Sequence, residues 1–145
     1  MTLHLQKLCV GCDSVEDLTS WIDERMAEKR RRGLPEEHVH TTRMSPKRVE
    51  ELLDGGSLYW IIKGAILVRQ PLLDLRAVKG ADGVPRCELV LAHELVPVRP
   101  APRRPFQGWR YLAAADAPRD LDDAVAAAPG LPASLAQELR SLGLL

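Results

Sequence analysis

The sequence predicts an α+β domain: a small, mostly antiparallel, open β-barrel with flanking helices. Three observations carry that expectation. Segments of the central chain alternate apolar and polar residues, the period-two signature of strands. Near both ends apolar residues instead recur at helical spacing. Glycine and proline clusters cut the chain into short pieces, and none forms a linker dividing two domains. At 145 residues the chain is near the commonest size for one domain and can bury a core without disulfides or metal. We therefore read 1–145 as a single domain, with 113–145 as a helical C-terminal extension.

Leu3, Leu5 and the Lys7–Val10 stretch alternate as a short strand ending at Gly11. Asp13-Ser14-Val15-Glu16 then predicts a helix start, Asp13 capping and Glu16 reaching back to it. Val15, Leu18, Trp21, Ile22 and Met26 form its apolar stripe. Its end, Lys29-Arg30-Arg31-Arg32-Gly33, sets cations on the negative end of the dipole and a glycine where the left-handed cap needs one. His38–Arg43 has strand-like content, and Ser45-Pro46 predicts a second helix entrance. Val49, Leu52 and Leu53 form its short apolar face, and Asp54-Gly55-Gly56 stops it.

Ser57–Gln70 is the strongest strand signal, broken at Gly64 into two strands, with Leu58, Trp60, Ile62, Ile66 and Val68 sharing one parity. Pro71 predicts an edge or a kink. Leu72–Val78 and Arg86–Leu91 flank a turn containing Asp82-Gly83, a hairpin in which Cys87 faces the core. Leu95–Val98 reads as an edge strand. Arg99–Pro105 reads as extended, polyproline-like chain, and Phe106–Leu112 alternates again. A short helix at 121–128 and a terminal helix from Pro132 complete the expectation.

Composition excludes several classes. Apolar residues make 46% and charged residues 28%, so the chain is not a disordered one. No run approaches the ~20 apolar residues that span a bilayer, and the N-terminal segment is too polar for a signal peptide. Three cysteines in no framework spacing fit reduced thiols, and the expected location is cytoplasmic, with no membrane partner.

The formal charge is zero, yet it is unevenly spread. Residues 43–110 hold twelve basic and seven acidic side chains, a net +5, while both flanks are negative. Five of the six aromatic rings fall in two tracts, Tyr59-Trp60 and Phe106, Trp109, Tyr111. Arginine beside aromatic rings on a sheet is the composition that stacks bases and grips phosphate. We expect Trp60, Trp109 or Tyr59 to stack a base. Arg43, Lys47, Arg48, Lys63, Arg69, Arg103, Arg104 and Arg110 would contact phosphate, and Gln70 and Gln107 would read base edges. Core rings and ion-paired arginines are the bland alternative.

Cys9-x-x-Cys12 with His38-x-His40 could supply four zinc ligands, but the second knuckle or H-x3–5-H spacing is missing, and no metal is expected. A redox reading would need a thiol activated at a helix N-terminus, where only Cys12 falls. No nucleophile elbow, P-loop or dinucleotide fingerprint occurs, so no cofactor is expected and no catalytic residue stands out.

Longer tracts carry a resemblance: Lys7–Gly11, Thr42-Arg43-Met44-x-Pro46-Lys47-Arg48, Asp54–Gly64 with x at Ile61, Arg69-Gln70, and Arg103–Leu112. Together they resemble an alphaproteobacterial family catalogued as domain of unknown function 1489, along nearly the whole chain. Cys12 stands outside that pattern. The layout of Ser45–Gly56 followed by Tyr59, Trp60 and Lys63 is also similar, more loosely, to PUA-like barrels of the ASCH and EVE groups. That similarity implies a barrel with an RNA or modified-base cleft, though fold alone does not fix function. The expected function is a module binding RNA or a modified nucleotide. The alternatives are an enzyme on a small nucleoside or phosphorylated substrate in the same cleft, or a protein-interaction module using Pro100–Pro105. The oligomeric state is left open.

Overall fold

A computed structural model describes residues 2–121. The predicted helices at 121–128 and from Pro132 lie outside the described residues, apart from Leu121, which is buried. The fold is mixed α+β, with the elements β1 (Leu3–Leu8), α1 (Val15–Arg31), β2 (His38–Thr42), α2 (Val49–Leu52), β3 (Ser57–Ile62), β4 (Ala65–Lys79), β5 (Pro85–Leu91), β6 (Val96–Pro102) and β7 (Trp109–Ala113). A single turn of 3-10 helix, Ala114–Asp116, follows. Among the described residues no helix is long and apolar enough to cross a membrane.

The seven strands form one open sheet in the order β2-β5-β4-β3-β1-β7, with β6 paired to β4 off this path. All pairs are antiparallel except β1 with β3. The sheet does not close on itself, but it is strongly curled. β2 and β3 are three strand spacings apart in the order, which would be about 14 Å in a flat sheet. Yet the rings of His40 on β2 and Trp60 on β3 meet edge-to-face with centroids 5.2 Å apart. Side chains rather than ladder bonds bridge the remaining gap. The Trp109 indole of β7 donates to the Met44 carbonyl just after β2, at 2.7 Å.

Local chemistry explains most element boundaries. Ser14, not Asp13, caps α1: its hydroxyl accepts from the Asp17 N–H at 3.1 Å while Asp17 accepts from the Asp13 N–H. The expected capping pair is therefore shifted by one residue. Leu18, Ile22 and Met26 are buried as the stripe predicts, whereas Trp21 sits at its margin, 37% exposed. The helix closes with Leu34 N–H on the Lys29 carbonyl and Gly33 N–H on that of Arg30, Gly33 taking φ 67°.

The second helix starts later than Ser45-Pro46 suggests. Pro46 lies in the loop, and the N–H groups of Lys47 and Arg48 instead donate to the Tyr111 hydroxyl at 2.9 and 3.3 Å. A tyrosine sixty-odd residues away supplies what a local cap would. Lys63 and Gly64, both with positive φ, make the tight β3–β4 turn. A register shift between the Ile61–Ile66 and Trp60–Val68 pairs then separates the expected parity set. Ile66 joins Tyr59, Ile61, Val98 and Leu112 on one face of the sheet. Leu58, Trp60, Ile62 and Val68 join Leu5 and α1 on the other.

β4 runs through Pro71, where it exchanges β3 and β6 for β5. The proline-rich stretch is also a correction. Pairing with β4 extends to Pro102, past Pro97 and Pro100, so only the residues from Arg103 onward leave the sheet. A proline cannot donate, but β6 lies off the main strand path at an edge, where few N–H groups are needed.

Gln70, fully buried at the centre, ties three strands and a turn. Its Oε1 accepts from the Trp60 Nε1–H at 2.8 Å, and its Nε2 bonds the Ala92 carbonyl at 2.8 Å and His38 Nδ1 at 3.0 Å. Close backbone approach is equally strict at Gly56, where a Cβ would lie 2.2 Å from the Leu52 carbonyl oxygen and 2.3 Å from that of Leu3.

Two outcomes follow for urea unfolding. Gln70→Leu leaves the indole, the imidazole and the Ala92 carbonyl without partners and lowers stability by about 3 kcal/mol. Gly56→Ala forces the end of α2 away from β1 at a cost of about 3 kcal/mol. Wild-type midpoints for either variant would contradict this packing.

Candidate nucleic-acid interface

β1 and β3 run parallel and finish at the same end of the sheet, where β7 begins: Lys7 pairs with both Trp60 and Trp109. Two hydrogen bonds draw neighbouring loops to that end. Arg103 N–H donates to the Gly64 carbonyl at 2.8 Å, joining the β6–β7 connection to the β3–β4 turn. The Trp109–Met44 bond holds the β2–α2 connection beside them. Arg43, Lys47, Arg48, Lys63, Arg103, Arg104, Gln107 and Arg110 therefore sit on three adjoining loops and the start of β7. All are exposed except Arg103, which is half-buried and donates to the Pro102 carbonyl.

Salt bridges sort these cations. Arg48 is held by Glu51 at 2.6 Å. Among the described residues none of the salt bridges engages Arg43, Lys47, Lys63, Arg103, Arg104 or Arg110. Arg110 stacks its guanidinium over Phe106 at 4.3 Å and remains exposed.

The remaining expected residues are placed elsewhere or sealed. Trp60 is 2% exposed, edge-on to His40 and bonded to Gln70, so neither its face nor the Gln70 amide is open to a base. Tyr59 packs on the opposite face of the sheet against His4. Trp109 is 7% exposed, its indole committed to Met44 and its ring to Tyr111. Arg69 forms a two-pronged bond to Asp120, both arms at 2.8 Å, and also donates to the Ser57 hydroxyl. Burying apolar rings stabilises the domain more than presenting them would, and the structure uses every large ring of β3 and β7 that way.

Sequence reasoning passed over His4 and Asp120. His4 Nδ1 accepts from the Ser57 N–H at 3.0 Å, and burial with the nearby Arg69 charge lowers its pKa. With Tyr59, Arg69 and Asp120 it lines an open cleft of about 580 Å³ on the outer face of the sheet. Its arginine faces a chain position fifty-one residues away, and no local pattern announces such a pair.

His38 and His40 do share a strand face, but among the described residues no group of three or more His, Cys, Asp or Glu side chains is placed to hold a metal ion. Burial, then the adjacent Cys12 thiol, pushes the Cys9 thiol up, the opposite of what an activated cysteine needs.

A family model described as a protein of unknown function (DUF1489) matches residues 5–145. No curated protein and no solved structure matches.

His38 and His40 generate a pH prediction. Burial, and after it the charge of Arg25 on His38 and of Lys7 on His40, lowers each to about 4. Unfolding returns both to 6.5, so between these values the unfolded chain binds protons that the folded chain refuses. Their contribution is complete above pH 6.5 and falls as the pH drops toward 4, with a limiting slope of about 1.4 kcal/mol per pH unit for each ring. Urea midpoints measured across that window check it. His40→Gln should flatten the curve, and a flat wild-type curve would count against burial of the rings.

Proposed function

The chain belongs to the DUF1489 family, and we propose that it binds single-stranded RNA or a modified nucleotide through the cationic end of its sheet. The observation that carries this reading is the partition of charge. Among the described residues, six pairings engage arginines over the rest of the surface and one holds Arg48 at this end, whereas none engages Arg43, Lys47, Lys63, Arg103, Arg104 or Arg110 on adjoining loops. Leaving like charges together costs repulsion, which a polyanion relieves while releasing its counterions. Phosphate contact dominates, because the expected stacking rings are buried. Gln107, exposed between Phe106 and Gly108, is the remaining group for a base edge. The same reading takes the curled sheet as an open barrel of PUA-like layout, with α2 ahead of β3 and Lys63 directly after it.

Filter binding or fluorescence anisotropy with labelled single-stranded RNA across a salt series tests the proposal. Affinity should fall steeply with salt, and Arg103→Ala with Arg104→Ala should reduce the slope of log K against log salt by about 1.4, two contacts of roughly 0.7 each. Oligo-U and oligo-A should bind within a few-fold of one another, because little base contact is left. No binding at low salt, or an unchanged slope in the double variant, overturns the proposal.

A further inference from the structure

We propose that a second, separate site, the cavity between α1 and β2, binds a small molecule bearing one phosphomonoester group on an apolar or aromatic body. The cavity measures about 330 Å³, within the range of small-ligand pockets. Arg25, Lys29 and Arg32 line one wall. Their i, i+4, i+7 spacing sets them in one stripe along α1 and its cap. The two intervening members of the basic run turn elsewhere: Arg30 pairs with Glu36 at 2.6 Å, and Arg31 with Glu28. Glu28, the acidic side chain in the lining, is thus already engaged. None of the salt bridges among the described residues involves the three cations of the wall; Lys29 donates to the Glu37 carbonyl and Arg25 to that of Val39 at 3.4 Å while stacking over Trp21, and both keep their charge without a carboxylate. Met26, Leu34 and Val39 supply the apolar lining.

His38, also in the lining, is neutral, and its tautomer follows from the hydrogen bonds of Gln70. An indole nitrogen can only donate, so the Gln70 atom facing Trp60 is the oxygen. The Gln70 atom facing His38 is therefore the NH2 group, and His38 Nδ1 accepts from it. A neutral imidazole then carries its proton on Nε2. That buried Nε2–H has no partner among the described residues. A buried donor without an acceptor is costly and rare. A phosphate group in the cavity would meet the charge of three cations beside that ring, and an apolar body would cover Met26, Leu34 and Val39.

Isothermal titration of the full chain with phenyl phosphate, inorganic phosphate and phenol tests the site, alongside the ¹⁵N resonances of the His38 ring. Phenyl phosphate should bind saturably at one site, inorganic phosphate more weakly and phenol not at all. His38 Nε2 should shift on saturation. Arg32→Ala, at an exposed position that does not endanger the fold, should weaken phenyl phosphate about tenfold. Arg103→Ala with Arg104→Ala should leave it unchanged, which separates this site from the RNA interface. Absent saturation, equal binding of phenol or inorganic phosphate, a static His38 resonance, or wild-type affinity in Arg32→Ala would each overturn the proposal.

Discussion

A donor-only indole at the centre of the sheet sets the polarity of everything buried around it. Trp60 Nε1 has no choice but to donate, which orients the Gln70 amide, which in turn fixes the His38 tautomer. The chain of bonds begins on β3, passes through β4 and ends on β2, with a branch to the turn at Ala92. Those strands are ordered so that β2 would stand far from β3 in a flat sheet, so the bonds exist only if the sheet curls. Curvature and buried polarity are one constraint. In a low-dielectric core each such bond is strong, and each missing partner is correspondingly expensive.

The same curl decides where charge goes. It leaves β2 and β7 as neighbours across a gap spanned by Trp109 and Tyr111, and it gathers the β2–α2, β3–β4 and β6–β7 connections at one end. Most of the paired carboxylates lie elsewhere, Asp74 and Glu37 on Arg76, Asp82 on Arg86 and Asp120 on Arg69, while at this end Glu51 holds Arg48. A chain whose formal charge is zero thus presents a locally cationic end. Neutrality of the whole says little about the field at any one face.

Much of the architecture was legible residue by residue. The α1 stripe, the glycine that closes it, the β3–β4 turn at Lys63-Gly64 and the Asp82-Gly83 hairpin all follow from short-range sterics and periodicity. Departures came where a partner far along the chain outbid the local signal. Tyr111 replaced the Ser45 cap, a bulge in the β3–β4 pairing turned Ile66 away from Val68, and β4 drew Ala101 and Pro102 into a ladder. In the candidate interface the exposed cations were readable, because prolines and turns keep Arg103, Arg104 and Lys63 out of the core. The rings were not, because an aromatic residue on a strand serves equally as core or as platform.

By itself, then, the sequence determined the class of fold, the order and type of nearly every described element, and the basic bias of residues 43–110. Only the tertiary structure decided which arginines found carboxylates, that Trp60 and Gln70 close on each other, and that His38 is left with a proton that none of the described residues accepts. Secondary structure is written in contacts a few residues apart. The exposure and protonation of a side chain depend on groups ten to sixty-five positions away, brought near by the pairing and bend of the sheet.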